Sequence, residues 1–199
     1  MRKIILASGS KARREILREM GLKFTVVRSG AKESRKIKGS CGKLVMDNAL
    51  RKACEVARRF DSGIVIAADT VVMAGRKIIG KPKNLKDAFQ TLKLLSKKPQ
   101  WVYSGIAVVD IDNDKVYTDY ERTKVYMYPL TNLQIRNYFK AVSPLDKAGS
   151  FDIQGRGGIF IDRIEGCFYN VVGLPLAKLA KMLAKVGIDF FQTTKQERR

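Results

Sequence analysis

The stretch "GIVIAADTVVMAG", residues 63–75, is the most constraining feature of this chain. It is apolar and β-branched almost without a break, and its only polar interruption is Asp69-Thr70. A run of this length without polar alternation predicts a strand buried on both faces, at the centre of a sheet covered by helices. The carboxylate inside it is anomalous. Burying an unpaired charge costs several kcal/mol, so Asp69 must have a cation, a metal or a chemical task.

The rest of the chain supplies the helices and further strands. Residues 3–7 read as a strand, followed by Ser8-Gly9-Ser10 and a helix over 11–20 with Gly21 at its end. Residues 43–60 form the clearest helical pattern, with Met46, Leu50, Ala53, Ala57 and Phe60 as its apolar stripe. Lys52 falls one step off that stripe, a surface position. "KFTVVRSG" alternates like a strand, "AKESRKIKGS" reads as a loop and "KIIGKP" as a hairpin return. Asn84 with Asp87 starts a helix to about Ser96, and Thr131 caps one over 132–141. Two strands flank a turn at Asp112-Asn113-Asp114, and "GIFIDRIEG" is another strand. "NVVGLP" leads into a last helix, about 176–186. This order lacks strict βαβ alternation. It predicts an α/β fold, a mixed twisted sheet with flanking helices in two lobes. One domain is expected over 1–199, with its core at about 3–187 and a basic C-terminal tail at 190–199.

Composition narrows the chemistry. The chain has no histidine, which removes the commonest general base and transition-metal ligand. Acid–base work falls to Asp, Glu, Lys, Tyr or Cys, and a metal would sit among oxygen ligands, which points to Mg²⁺ or Mn²⁺. Three cysteines without CxxC spacing argue against a disulfide framework and a structural zinc. No apolar run reaches the ~18 residues of a membrane span. The N-terminal apolar run is too short for a signal peptide, so a cytoplasmic protein without membrane contact is expected. A net charge of +20 favours polyanionic partners or simply a solvated basic surface.

Individual residues sharpen this. Ser8-Gly9-Ser10 between a strand and a helix offers backbone N–H groups and hydroxyls to an anion, and Arg13 and Arg14 add charge in the first helical turn. A serine cap with solvent-facing basic residues is the plainer reading. Lys81 follows the central hairpin between Gly80 and Pro82. Glu33 is one acid among many bases. "DKAGSFDIQGRGG" contains Asp146, Lys147 and Gln154 among glycines that permit close approach of a ligand, and Gln154 can read a base edge.

Taken in order, "LASGS…RR…IL", "LRKACEV", "AADT" with "GKP", "SGIAV", Thr123, "PLDKAGSFDIQGRGGIFI" and "VVGLP" resemble the Maf family of nucleotide pyrophosphatases over about residues 4–186. The resemblance implies hydrolysis of a nucleoside triphosphate to the monophosphate and pyrophosphate, a divalent cation, a deep cleft between two lobes, and a homodimer. It implies that Asp69 is the general base or metal-anchoring acid and Glu33 a metal partner. It makes Ser8, Arg13, Lys52 and Lys81 triphosphate contacts, with Arg14 beside them, and Thr70 and Gln154 selectivity positions. "ADT", "DKAG" and "IQG" resemble the branch acting on dTTP and UTP rather than the 7-methyl-GTP branch, which reads "SDQ". The chain departs from the family pattern at Lys11, Ala12, Lys32, Ser104 and Phe151.

Two rival classes remain: a pyrophosphatase for other modified or non-standard nucleotides, and a nucleotide- or nucleic-acid-binding regulator of cell division. A nucleic-acid module predicts basic residues interleaved with aromatics. Trp101, Tyr103 and the Tyr117–Tyr128 run read as strand residues beside few cations, so nucleic acid is not expected as the main partner.

Overall fold

The computed structural model describes residues 2–145 and 147–191. Asp146 of the Gly-rich segment and residues 192–199 of the expected tail lie outside the described residues. The strands form a seven-stranded mixed sheet in the order β2-β1-β3-β5-β6-β7, with β4 paired to β3. The fold is mixed α/β with flanking helices, as the sequence predicts. The chain divides into two compact units: Met1–Thr70, Ser104–Glu121 and Gly173–Arg199 form the first, Val71–Tyr103 and Arg122–Val172 the second. No helix among the described residues is long and apolar enough to cross a membrane.

In the first unit, β1 (Ile4–Leu6) lies parallel to β2 (Thr25–Val26) and to β3 (Ile64–Ala74), with Ile5 opposite Thr25 and Val65. Only two residues of the alternating "KFTVVRSG" join the sheet, as a short edge strand. Helix α1 (Lys11–Glu19) is capped by Ser10 and buries Ile16 and Leu17. Helix α2 (Cys41–Ala57) starts at its Ser40 cap, two residues before the expected helix. Its buried line is Val45, Asn48, Ala49, Ala53 and Val56, while Leu50, Ala57 and Phe60 pack at the margin of the core. Ala53 of the expected stripe holds its buried place, and the rest of the buried line is rotated from that stripe. A Cβ on Gly105 would run into the backbone carbonyl of Val45, and one on Gly42 would meet the Tyr120 ring at 2.5 Å. Glycines at both points let α2 settle onto the sheet. Ile5, Val65, Ala67, Ala107 and Val109 complete the core beneath it.

The second unit has its own core, built on Leu92, Val102, Val125, Ile135, Tyr138 and Phe160. Strand β4 (Lys77–Ile79) returns antiparallel to β3, with Val72 opposite Ile79. Helix α3 (Leu85–Leu95) starts where Asn84 accepts the Asp87 N–H at 2.9 Å. Strands β5 (Gln100–Asp110) and β6 (Lys115–Met127) each have residues in both units and flank the expected turn, which belongs to the first. Helix α4 (Asn132–Ala141) carries a full capping box between Thr131 and Gln134. Strand β7 (Ile161–Glu165) pairs antiparallel with β6. Helix α5 (Phe168–Val172) is an addition to the sequence reading: "NVV" is not merely a lead-in, and Gly173, at φ +115°, ends this short helix. The last helix, α6 (Leu176–Ala184), belongs to the first unit. The aromatics of β5 and β6 also differ from expectation. Arg122 and Lys124 sit over Trp101 at 5.1 and 5.7 Å, and Arg163 sits over Tyr126 at 3.7 Å. Cross-strand neighbours separated widely in sequence supply these cations.

Candidate active site

Asp69 is 4% exposed, near the middle of β3. Its charge is met by two side chains of α2. Asn48 Nδ2 donates to Asp69 Oδ2 at 2.7 Å, and Lys52 Nζ donates to Asp69 Oδ1 at 2.7 Å. Residues four apart on a helix share a face, so Asn48 and Lys52 reach the same carboxylate. The Lys52 side chain is only 12% exposed, not at the surface position expected for it. Its ammonium also meets Glu33 Oε1 at 2.6 Å. Asn48 holds the loop carrying Glu33: its Oδ1 accepts the Ser34 N–H at 2.9 Å and its Nδ2 donates to Ser34 O at 3.0 Å.

A second network lies around Arg13. Its guanidinium donates to Gly173 O at 2.8 Å, Ala68 O at 2.9 Å and Thr70 Oγ1 at 2.9 Å, with a longer bond to Ser8 Oγ at 3.3 Å. Thr70 Oγ1 in turn lies 2.8 Å from Ser104 Oγ. Burial lowers the Arg13 pKa from its ordinary value, while the Asp69 and Glu33 charges raise it. The same field acts on the first residue of α2. Burial first, and then Asp69, pushes the Cys41 thiol up to about 11.

The strand–helix junction is a serine cap in this state. Ser10 Oγ accepts the Arg13 N–H at 3.4 Å, and Ser8 Oγ accepts the Ser10 N–H at 3.2 Å. Arg14 is half-buried, and its Nε has no hydrogen-bond partner.

Ser8, Arg13, Arg14, Glu33, Lys52, Asp69 and Thr70 thus all belong to the first unit. Lys81 and Gln154 belong to the second, both exposed. There the Gly149 N–H donates to Gly80 O at 3.4 Å, tying the turn before Lys81 to the Gly-rich segment. Sequence reasoning misses Asn48 and marks Ser104 only as a departure from the family pattern, with no role. Asn48 had one signal, a polar residue one turn before Lys52 on α2.

The donor set suits a hard divalent cation. Asp69 and Glu33 already share one cation, the Lys52 ammonium. No group of three or more acidic or thiol side chains with metal-ligand geometry occurs among the described residues. One or two carboxylates completed by substrate phosphates is a usual Mg²⁺ arrangement, whereas an all-protein cage is not.

Comparison with known proteins gives a consistent result. The sequence model described as "Maf-like protein" matches residues 3–186. A protein of Clostridium botulinum (strain 657 / Type Ba4) named dTTP/UTP pyrophosphatase is 44% identical over 193 residues, 95% of this chain and all of that one. Proteins of the same name from Bacillus anthracis (strain CDC 684 / NRRL 3495) and Methanosarcina barkeri (strain Fusaro / DSM 804) are 45% and 42% identical. These alignments cover 95% and 96% of this chain, and 98% of each relative. Among solved structures, the Staphylococcus aureus Ham1 protein shares the fold at a TM-score of 0.51, with 13% identity over 92% of this chain and 99% of that one.

Proposed function

The chain belongs to the Maf-like protein family, and from that premise we propose that it hydrolyses nucleoside triphosphates, dTTP and UTP foremost, to the monophosphate and pyrophosphate. The observation that carries this reading is a buried Asp69 held by Asn48 and Lys52, with Glu33 on the same ammonium. Such a cluster suits a reaction that handles a water molecule beside a highly charged triphosphate.

In this reading Asp69 orients the attacking water and takes its proton. Each carboxylate oxygen uses one lone-pair direction on Asn48 or Lys52 and keeps another for the water. The water oxygen bonds to the α-phosphorus, the bond from that phosphorus to the bridging oxygen breaks, and pyrophosphate leaves. Lys52 has three donors, and one turns to a phosphate oxygen while the others hold the carboxylates. Asp69 and Glu33 would hold Mg²⁺ or Mn²⁺, which supplies charge neutralisation for the leaving pyrophosphate. Arg13 fixes Thr70 at a selectivity position, and Ser8 and Arg14 contact phosphate oxygens. For Lys81 and Gln154 the reading keeps what their family positions imply, a triphosphate contact and a selectivity position. A homodimer belongs to the same reading.

Ala12 favours a second reading. The arginine common at that place in the family is missing, so a modified or non-standard base is the alternative substrate. The test is pyrophosphate release from dTTP, UTP, CTP, ITP, GTP and 7-methyl-GTP with Mg²⁺ or Mn²⁺, beside Asp69→Asn. Turnover of dTTP and UTP that is lost in Asp69→Asn and on chelation supports the proposal. Turnover of another base keeps the chemistry and moves the specificity. An unaltered rate in Asp69→Asn overturns the assigned role.

A further inference from the structure

Helices α3 and α4 of the second unit leave an open groove of about 630 Å³ between them. Its apolar surface comes from Leu85, Phe89 and Phe139, and Leu85 is 57% exposed. A smaller depression of about 240 Å³ shares Phe89 and Gln90 and continues along α3 past Leu94, which is 50% exposed. Exposed leucines and a phenylalanine in one strip are unusual on a face that meets only water.

The charge around this strip has one sign. Lys86, Arg136 and Lys140 line the larger cavity, Lys93 and Lys97 the smaller, and no carboxylate lines either. Lys93 is committed to Leu130 O at 2.6 Å. No ion pair or hydrogen bond engages the other four side chains among the described residues. The only acid of α3, Asp87, accepts the Lys83 N–H, and α4 has no acid.

We propose that this groove is a docking surface for an acidic amphipathic helix of a partner protein. The apolar strip takes the partner's leucine-type side chains at successive turns, and the cations pair with carboxylates flanking them. Length supports a helix: α3 has 11 residues, about 16 Å or three turns of rise. A compact small anion would use a fraction of that strip. A second copy docked symmetrically on this groove would bring Lys86, Arg136 and Lys140 against the same cations, so the homodimer proposed above uses another face.

The experiment uses a blocked, fluorescein-labelled model peptide of Leu, Ala and Glu, about five turns long so that it is helical alone. Its leucines lie at helical spacing, and a scrambled isomer of the same composition is the control. Anisotropy titrations use the whole protein, Arg136→Glu/Lys140→Glu and Leu85→Glu. These substitutions sit on exposed positions and leave the core intact. The expected result is saturable binding of the helical peptide, weakened about tenfold or more by the scramble and by either variant. Dissociation should also tighten as salt is lowered. Nucleoside triphosphate turnover in both variants stays at the wild-type rate, so the outcome is independent of the proposed catalytic function. Equal binding of the scramble, or unchanged affinity in the charge-reversed variant, overturns the proposal. So does displacement of the peptide by a thymidine oligonucleotide at lower concentration, which assigns the groove to nucleic acid. Self-association of the wild type that Leu85→Glu abolishes also overturns it, in favour of a second copy.

Discussion

Asn48 gives one side-chain amide nitrogen to two acceptors, Asp69 Oδ2 at 2.7 Å and Ser34 O at 3.0 Å. The amide therefore couples the buried carboxylate to the loop that presents Glu33. Asn48→Ala should leave Asp69 short of a donor and release the loop together. Loss of a hydrogen bond to a buried charged group costs about 1–3 kcal/mol. For a chain of this size each kcal/mol lowers Tm by roughly 2–4 °C. Displacing the carboxylate and Glu33 should lower kcat roughly tenfold to a hundredfold. A thermal melt and steady-state kinetics check both, and a stable variant with normal kcat would remove Asn48 from the site.

Gly105→Ala tests the packing that delivers Asn48 and Lys52 to Asp69. The new Cβ would collide with the Val45 backbone, which cannot rotate away as a side chain can. The strain should reach or exceed the roughly 3 kcal/mol upper range for overpacking, because α2 must lift from the sheet. Expected outcomes are a strongly lowered Tm and loss of turnover. A Tm within a degree or two of the wild type would mean that α2 can shift freely.

Acid sensitivity should come from the opposite end of the first unit. Arg2 donates to Asp110 Oδ2 at 3.0 Å and to Asp112 Oδ2 at 2.9 Å. The Arg2 hydrogen bond, outweighing burial, holds Asp110 down at about 2 against an ordinary 3.8. A carboxylate depressed by folding stabilises the native state above its unfolded pKa. That contribution fades as pH falls through the folded value, here between about pH 4 and pH 2. Arg2 remains a third open to water, so solvent screens the pair and the loss should be about 1 kcal/mol. Denaturant melts across that window should show the slope in the wild type and a shallower one in Arg2→Ala.

Local signals were legible and distant ones were not. The strand around Asp69, the Asn84 and Thr131 caps and the turn at 112–114 depend on neighbours within a few residues, so sequence alone discloses them. The Arg2–Asp110 clamp joins residues 108 apart, and nothing in either segment names the other. Of the expected α2 stripe Ala53 is buried, while Leu50, Ala57 and Phe60 lie at the margin and Val45, Asn48, Ala49 and Val56 join Ala53 in the buried line. The helix actually approaches the sheet through Gly42, Ala49 and Ala53, small enough for close contact. Asp69 was conspicuous because a charge interrupted an apolar run. Asn48 was not, because its one signal, a place one turn before Lys52, has meaning only once Lys52 is known to turn inward.

Arg13 and Arg14 are adjacent, both are expected as anion contacts, and their hydrogen bonding differs. Arg13 satisfies Gly173 O, Ala68 O and Thr70 Oγ1 with three nitrogens of one planar group. A lysine has one point of charge and cannot span those acceptors, so Arg13→Lys leaves buried carbonyls unpaired. It should cost about 3 kcal/mol of stability and lower kcat/KM, since Thr70 loses the donor that fixes its hydroxyl. Arg14 Nε makes no hydrogen bond to lose, so Arg14→Ala should hold stability within about 0.5 kcal/mol. If Arg14 contacts phosphate, that variant should raise KM with kcat little changed, the signature of lost ground-state binding. Parallel melts and kinetics on the two variants separate a frame residue from a substrate contact. Equal losses of stability in both would show that the hydrogen bonds of Arg13 do not organise the junction between β1 and α1.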